Sequence, residues 1–287
     1  MKPILSLSAA AFDGYELPVV FQEISRLGAR YVELAFIQGY MDTFGEEAFS
    51  EERAKSLRRE LAEAGLSCFA FSAHLDLGAP GAVALFERRM EFAKSVGAGI
   101  IVTNAAGRFR EKEFFGNMEV LARKAETLDL IIGLENPGDG RENVVNCGKT
   151  GAKTIQRIGS PFVRLNYDFG NVVSHFFEQR RPEDDFLPGL PFTAHLHLKD
   201  VKAFAEGWFF TEIGKGSINY PEIFRRLAAE KKGLPMSLEI PLRFTRTKDA
   251  SPRRSVTPIP LEKIREILRG SLRYVKTLLN ENAPPQK

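Results

Sequence analysis

The stretch SCFAFSAHLDLGAPGAVALFERRMEFAKSVGAGIIVT, residues 67–103, reads as a strand, a helix and the next strand. Ser67-Cys68-Phe69-Ala70-Phe71 and Ile100-Ile101-Val102-Thr103 are apolar runs of strand length, and Val83 to Val96 between them has helical periodicity. Gly97 falls between helix and strand, where a left-handed helix cap favours a residue without a Cβ. Working outward, the same unit recurs. Upstream lie Ile4-Leu5-Ser6-Leu7 and Tyr31-Val32-Glu33-Leu34; downstream lie Ile131-Ile132-Gly133-Leu134, Val163-Arg164-Leu165-Asn166-Tyr167, Thr193-Ala194-His195-Leu196-His197 and Met236-Ser237-Leu238-Glu239. Glu51 to Ala64, Phe114 to Leu128, Pro221 to Ala229 and Leu261 to Leu279 supply further amphipathic helices, and Gly28 and Gly65 punctuate as Gly97 does. Successive strands recur at about 30 to 40 residues, the length of one strand, loop and helix. Eight such units in roughly 250 residues predict a single (β/α)8 TIM barrel. The domain is expected to span residues 1–287, with a loose tail from about 281. A doubly wound open sheet competes, but no Gly-rich phosphate fingerprint follows an early strand.

Composition narrows the class. No apolar run approaches the roughly 20 residues of a membrane span, and the start, Met1-Lys2-Pro3-Ile4-Leu5, lacks a signal peptide's apolar core, so a cytoplasmic protein without a membrane partner is expected. Cys68 and Cys147 lie far apart without CxxC spacing or neighbouring histidines and read as ordinary thiols. A formal charge of +3 is too mild to point to nucleic acid, although it suits an anionic small substrate.

Side chains alternate along a barrel strand, one parity toward the helices and the other toward the axis. Val163, Leu165 and Tyr167 take the helix side of the sixth strand, which sends Arg164, Asn166 and Asp168 inward. Leu196 and Leu198 leave His195 and His197 inward on the seventh; Ile132 and Leu134 leave Glu135 at the end of the fifth; Leu238 leaves Ser237 and Glu239 on the eighth. Each residue alone is ordinarily a loop group, a helix cap or a satisfied core histidine. Together, at the C-terminal mouth where barrels place their active sites, three carboxylates would repel one another unless a cation neutralised them. Glu135, Asp168, His197 and Glu239 are therefore expected to hold one divalent metal ion. Three carboxylates and an imidazole favour Mn²⁺, Mg²⁺ or Co²⁺, with Zn²⁺ possible.

The chain resembles the xylose-isomerase-like TIM barrel superfamily of sugar and sugar-phosphate isomerases and epimerases, polyol and dehydroshikimate dehydratases, and an apurinic-site endonuclease branch. The likeness is carried by Tyr31-Val32-Glu33-Leu34, Leu134-Glu135-Asn136, Asp168-Phe169-Gly170-Asn171, His197-Leu198-Lys199-Asp200, Ile213-Gly214-Lys215-Gly216-Ser217-Ile218 and Ser237-Leu238-Glu239. It implies that Glu135, Asp168, His197 and Glu239 match the metal ligands and that Glu135 and Glu239 are the acid/base pair. It also implies that Glu33, His74, Asn104, Asn171 and Lys199 are substrate contacts. Asn171 stands where many relatives carry His. Asn104 and Asn171 occupy positions where the endonuclease branch requires histidines, and this chain has four in all, which argues against nucleic acid.

The implied reaction is metal-dependent isomerisation or epimerisation of a sugar or sugar phosphate, by proton abstraction next to a carbonyl through an enediolate. A metal-dependent dehydratase of the same superfamily, of the inosose or 3-dehydroshikimate type, is the alternative, and a non-catalytic sugar-binding barrel or an apurinic-site endonuclease is a less favoured reading. A homo-oligomer is possible. Phe36 to Phe44 reads as a lid or a plain loop. Arg243, Arg246, Lys248, Arg253 and Arg254 read as a phosphate site or a solvated basic loop, and Trp208-Phe209-Phe210 as a sugar or subunit contact.

Overall fold

A computed structural model describes residues 3–38, 44–230 and 233–283. Its barrel strands are β1 (Leu5–Ser8), β2 (Tyr31–Ala35), β3 (Ser67–Ser72), β4 (Ile100–Asn104), β5 (Ile131–Glu135), β6 (Val163–Asp168), β7 (Thr193–Leu198) and β10 (Met236–Leu238). All neighbours pair in parallel, and β1 closes the ring against both β2 and β10. The helices are α1 (Leu17–Arg26), α2 (Glu51–Glu63), α3 (Ala82–Val96), α4 (Glu111–Leu128), α5 (Gly148–Ile158), α6 (Phe169–His175), α7 (Pro182–Asp185), α8 (Tyr220–Ala229) and α9 (Leu261–Glu281). α9 thus continues to the residue where the loose tail is expected to begin, and residues 284–287 of that tail lie outside the described residues. The core forms where apolar faces of helices meet the outward parity of the strands: Val32, Leu34, Ile101, Ile132, Leu134, Leu196 and Leu198 are fully buried. No helix among the described residues is long and apolar enough to cross a membrane.

Four strands lie outside the sequence reading. β8 (Asp200–Phe204) and β9 (Gly207–Thr211) form a hairpin turned at Ala205 and Glu206, and β11 (Phe244–Thr247) and β12 (Pro252–Arg254) join it in an antiparallel sheet ordered β12-β11-β9-β8. The loops after the last two barrel strands are thereby knitted into one rigid element. Trp208 and Phe210 are buried in the core on this sheet, and neither lines the cavity described below.

Asp200 anchors the sheet to the next helix. Its carboxylate accepts hydrogen bonds from the backbone N–H groups of Val201 (2.9 Å), Gly214 (2.9 Å), Gly216 (3.0 Å) and Ile218 (3.3 Å), fixing the Gly214–Ile218 turn that leads into α8. Burial nevertheless raises its pKa, since four amide donors only partly replace lost hydration. Asp200→Ala strands these donors and should cost on the order of 3 kcal/mol in urea unfolding. A loss under about 1 kcal/mol would mean that the turn holds itself.

Candidate active site

The register brings the expected ligands together. Asp168 pairs laterally with His197, and His197 with Ser237, two residues before Glu239. One ligand atom from each of Glu135, Asp168, His197 and Glu239 lies within 4.8 Å of all the others, and all four residues are buried. Asp168 ends β6 and also caps α6. Its Oδ1 accepts from the Asn171 N–H (2.8 Å), which leaves Oδ2 to face the cluster. Asn136 brackets the Asp168 backbone, accepting from its N–H and donating to its carbonyl, both at 2.9 Å. Glu135 is held from two sides: Asn171 Nδ2 donates to Oε1 (2.9 Å), and His74 Nε2 lies 3.1 Å from Oε2.

Charge in this buried cluster is unevenly compensated. Burial works against ionisation of Glu135, but His197 and His74 outweigh it and hold its pKa well below the usual carboxylate range. Burial likewise opposes ionisation of Glu239, yet Lys199 and His197 bring it down to about 2. Asp168 goes the other way: burial, with Glu135 and Glu239 beside it, pushes it up to about 7 in spite of Lys199. The resident cations are therefore too few for all three carboxylates. Glu135 Oε2, Asp168 Oδ2 and Glu239 Oε2 are moreover buried without a hydrogen-bond partner of proper geometry.

His197 is oriented by a second layer. Its Nε2 lies 3.0 Å from Glu33 Oε2, and Ser72 donates to Glu33 Oε1 at 2.9 Å. This leaves Nδ1 toward Glu239 (3.2 Å), Glu135 (3.5 Å) and Asp168 (3.8 Å). Burial alone would lower the imidazole pKa, but Glu33, Glu239 and Glu135 together raise it well above its ordinary value. Asn166 lies between the two inward histidines, 2.7 Å from His195 Nδ1 and 3.1 Å from His197 Nδ1, and Ser237 Oγ completes the row at 3.1 Å from His195 Nε2. Glu33 thus sits one layer beneath the cavity, with no exposed surface, rather than at a position where a substrate would touch it.

A cavity of about 270 Å³ opens above the carboxylates. His74, Asn104, Asn171 and Lys199, the other expected contacts, all line it with Glu135 and Glu239. Asn171 also presents an unpartnered buried Oδ1. The outer wall adds Asp139, Arg141, Arg246 and Ser251. Of the five cations after the eighth barrel strand, Arg246 alone lines the cavity, buried and donating to the Ala250 carbonyl (2.9 Å). Arg243 and Arg254 both pair with buried Asp13, and Lys248 and Arg253 are exposed. Arg141 went unread because it follows a Gly-rich loop without strand periodicity. Of the loop after β2, Ile37 lines the cavity, and Phe36 and Phe44 pack edge to face with centroids 5.6 Å apart. Residues 39–43, the middle of the expected lid, lie outside the described residues.

A closed parallel barrel with converging carboxylates at its C-terminal mouth defines a class of protein whose chemistry is built on the loops of that face. Residues 21–264 match the family described as the xylose isomerase-like TIM barrel, and the chain belongs to that family. Solved structures with the same fold include an L-ribulose 3-epimerase, 16% identical, covering 98% of this chain and 96% of that one with a TM-score of 0.74. A D-psicose 3-epimerase from Clostridium cellulolyticum H10 is 13% identical over 97% and 99% of the two chains (TM-score 0.75). The probable 3-DHS dehydratase of petrobactin synthesis from Bacillus anthracis is 16% identical over 96% and 99% (TM-score 0.66). No curated protein matches the chain. The residues present fit a divalent ion: one carboxylate oxygen from each of three residues and an imidazole nitrogen lie within 4.8 Å of one another, in a buried cluster its own cations leave under-neutralised.

Burial lowers the His195 pKa to about 3. Below pH 6.5 the unfolded chain takes up a proton at this position that the folded chain refuses, so this residue's contribution to stability is lost as pH falls from 6.5 toward 3. In chelated protein, His195→Gln should gain stability relative to wild type as pH drops from 6.5 to 5, read from urea midpoints. A pH-independent difference would sink this assignment.

Proposed function

We propose that this protein is a divalent-metal-dependent epimerase or isomerase of a ketose or ketose phosphate. The observation that carries the reading is the pairing of Glu135 and Glu239, which reach one cavity from strands separated by two others while belonging to the same ligand cluster. The neighbours named as L-ribulose and D-psicose 3-epimerases support a ketose. Glu135, Asp168, His197 and Glu239 would hold a divalent ion, which would supply Lewis-acid polarisation of a substrate carbonyl and so acidify the adjacent C–H. One glutamate takes that proton and the other delivers one, to the opposite face for epimerisation or to the neighbouring carbon for isomerisation. His74 and Asn171 fix Glu135 for this transfer, and Asn104 and the free Oδ1 of Asn171 are placed to orient substrate hydroxyls. Arg141 and Arg246, about the outer cavity, favour a substrate with an anionic end over a neutral sugar.

Two experiments test the reading. Glu239→Gln keeps a ligating oxygen but loses the proton acceptor, so it should retain Mn²⁺ while solvent-deuterium uptake next to the ketose carbonyl falls at least about a hundredfold. Wild-type exchange rates in the metal-loaded variant would remove Glu239 from proton transfer, and a product lighter by one water would replace epimerisation with dehydration. Arg246→Ala should raise KM for a phosphorylated ketose while leaving turnover of the unphosphorylated sugar nearly unchanged. Equal effects on both would confine that arginine to a structural role.

A further inference from the structure

Lys199 is buried, and its Nζ lies 2.7 Å from Asp168 Oδ2 and 2.6 Å from Glu239 Oε2, two oxygens of the proposed ligand set. The position is built. Tyr220 Oη brackets the Lys199 backbone, accepting from its N–H (2.9 Å) and donating to its carbonyl (3.0 Å). A Cβ at Gly170 would come within 2.8 Å of Lys199 Cγ and 2.9 Å of its carbonyl oxygen, so the lysine passes through space that only glycine leaves. The Phe210 ring faces the ammonium at 5.6 Å from Nζ to the centroid. A carboxylate oxygen has two lone pairs, so each of these oxygens can meet the ammonium and still present a lone pair to another cation.

We propose that Lys199 is the resident cation of the carboxylate cluster, holding the metal-free site together and weakening its grip on a divalent ion. The inference rests on the metal-site reading above. With His197 neutral, as a metal ligand must be, Glu135, Asp168 and Glu239 bring three negative charges, and Lys199 reduces them to two, which a divalent ion cancels. Without the ammonium the same ion would meet a stronger field and no competitor for the two oxygens. A lysine that merely braced the strands would have the opposite consequence, because its removal would loosen the ligands and weaken the metal.

The test uses Mn²⁺ alone, titrated into chelator-stripped protein and followed by the electron paramagnetic resonance of the free ion. Lys199→Met, similar in shape and uncharged, should bind Mn²⁺ at least about tenfold more tightly than wild type while melting at a lower temperature when stripped. Lys199→Arg, which keeps the charge, should not tighten binding. If Lys199→Met does not fold without metal, it can be prepared with Mn²⁺ and its affinity read by competition against a chelator. Unchanged or weaker Mn²⁺ binding in Lys199→Met overturns the inference and leaves the metal site standing. Absence of Mn²⁺ binding by the wild type overturns both.

Discussion

Three buried carboxylates with oxygens within 4.8 Å of one another at the mouth of a barrel are the constraint to which the rest of the site answers. Burial and mutual repulsion raise Asp168 to about 7, whereas nearby cations draw Glu239 down to about 2 and Glu135 well below the usual range. The surroundings follow from that conflict. Asn136 fixes the Asp168 backbone, the α6 N-terminus occupies one of its oxygens, Glu33 turns His197, and Lys199 lies against Asp168 and Glu239. A cluster of this kind is rigid because any movement either exposes an uncompensated charge or breaks a buried hydrogen bond.

Division of labour between the layers is equally physical. The lowest row, His195 with Asn166 and Ser237, is neutral and closed to solvent. Above it comes the charged cluster, and above that the outer wall with Arg141, Asp139 and Arg246. Polarity increases outward along the barrel axis, so the charged cluster lies between a neutral floor and the charged outer wall of the cavity.

Most of the barrel is legible in the sequence because its strands are buried on both faces and therefore apolar at one parity without interruption. Parity also placed Glu135, Asp168, His197 and Glu239, since a period of two leaves no freedom in direction once the helix-facing residues are assigned. The small antiparallel sheet was missed although Val201, Ala203, Phe204 and Gly207-Trp208-Phe209-Phe210 flank a two-residue turn, a hairpin pattern that the barrel repeat overshadowed. The motif around Glu33 names a residue type and not a depth, so it does not show that this carboxylate lies beneath the cavity, against His197. Which arginine of the basic segment faces the cavity depends on Asp13, some 230 residues earlier, and no local pattern carries that pairing.

Arg246 stands on a strand of the sheet that knits the last two loops together, between Thr245 and Thr247. On such an element direction changes in whole steps: a single residue inserted before Arg246 would exchange it for a threonine at the cavity wall, and a second insertion would bring the original facing back. Which side chain this strand turns to the cavity wall is therefore a two-way setting, one that a change in the length of a hairpin can flip while Glu135, Asp168 and Glu239 stay where they are.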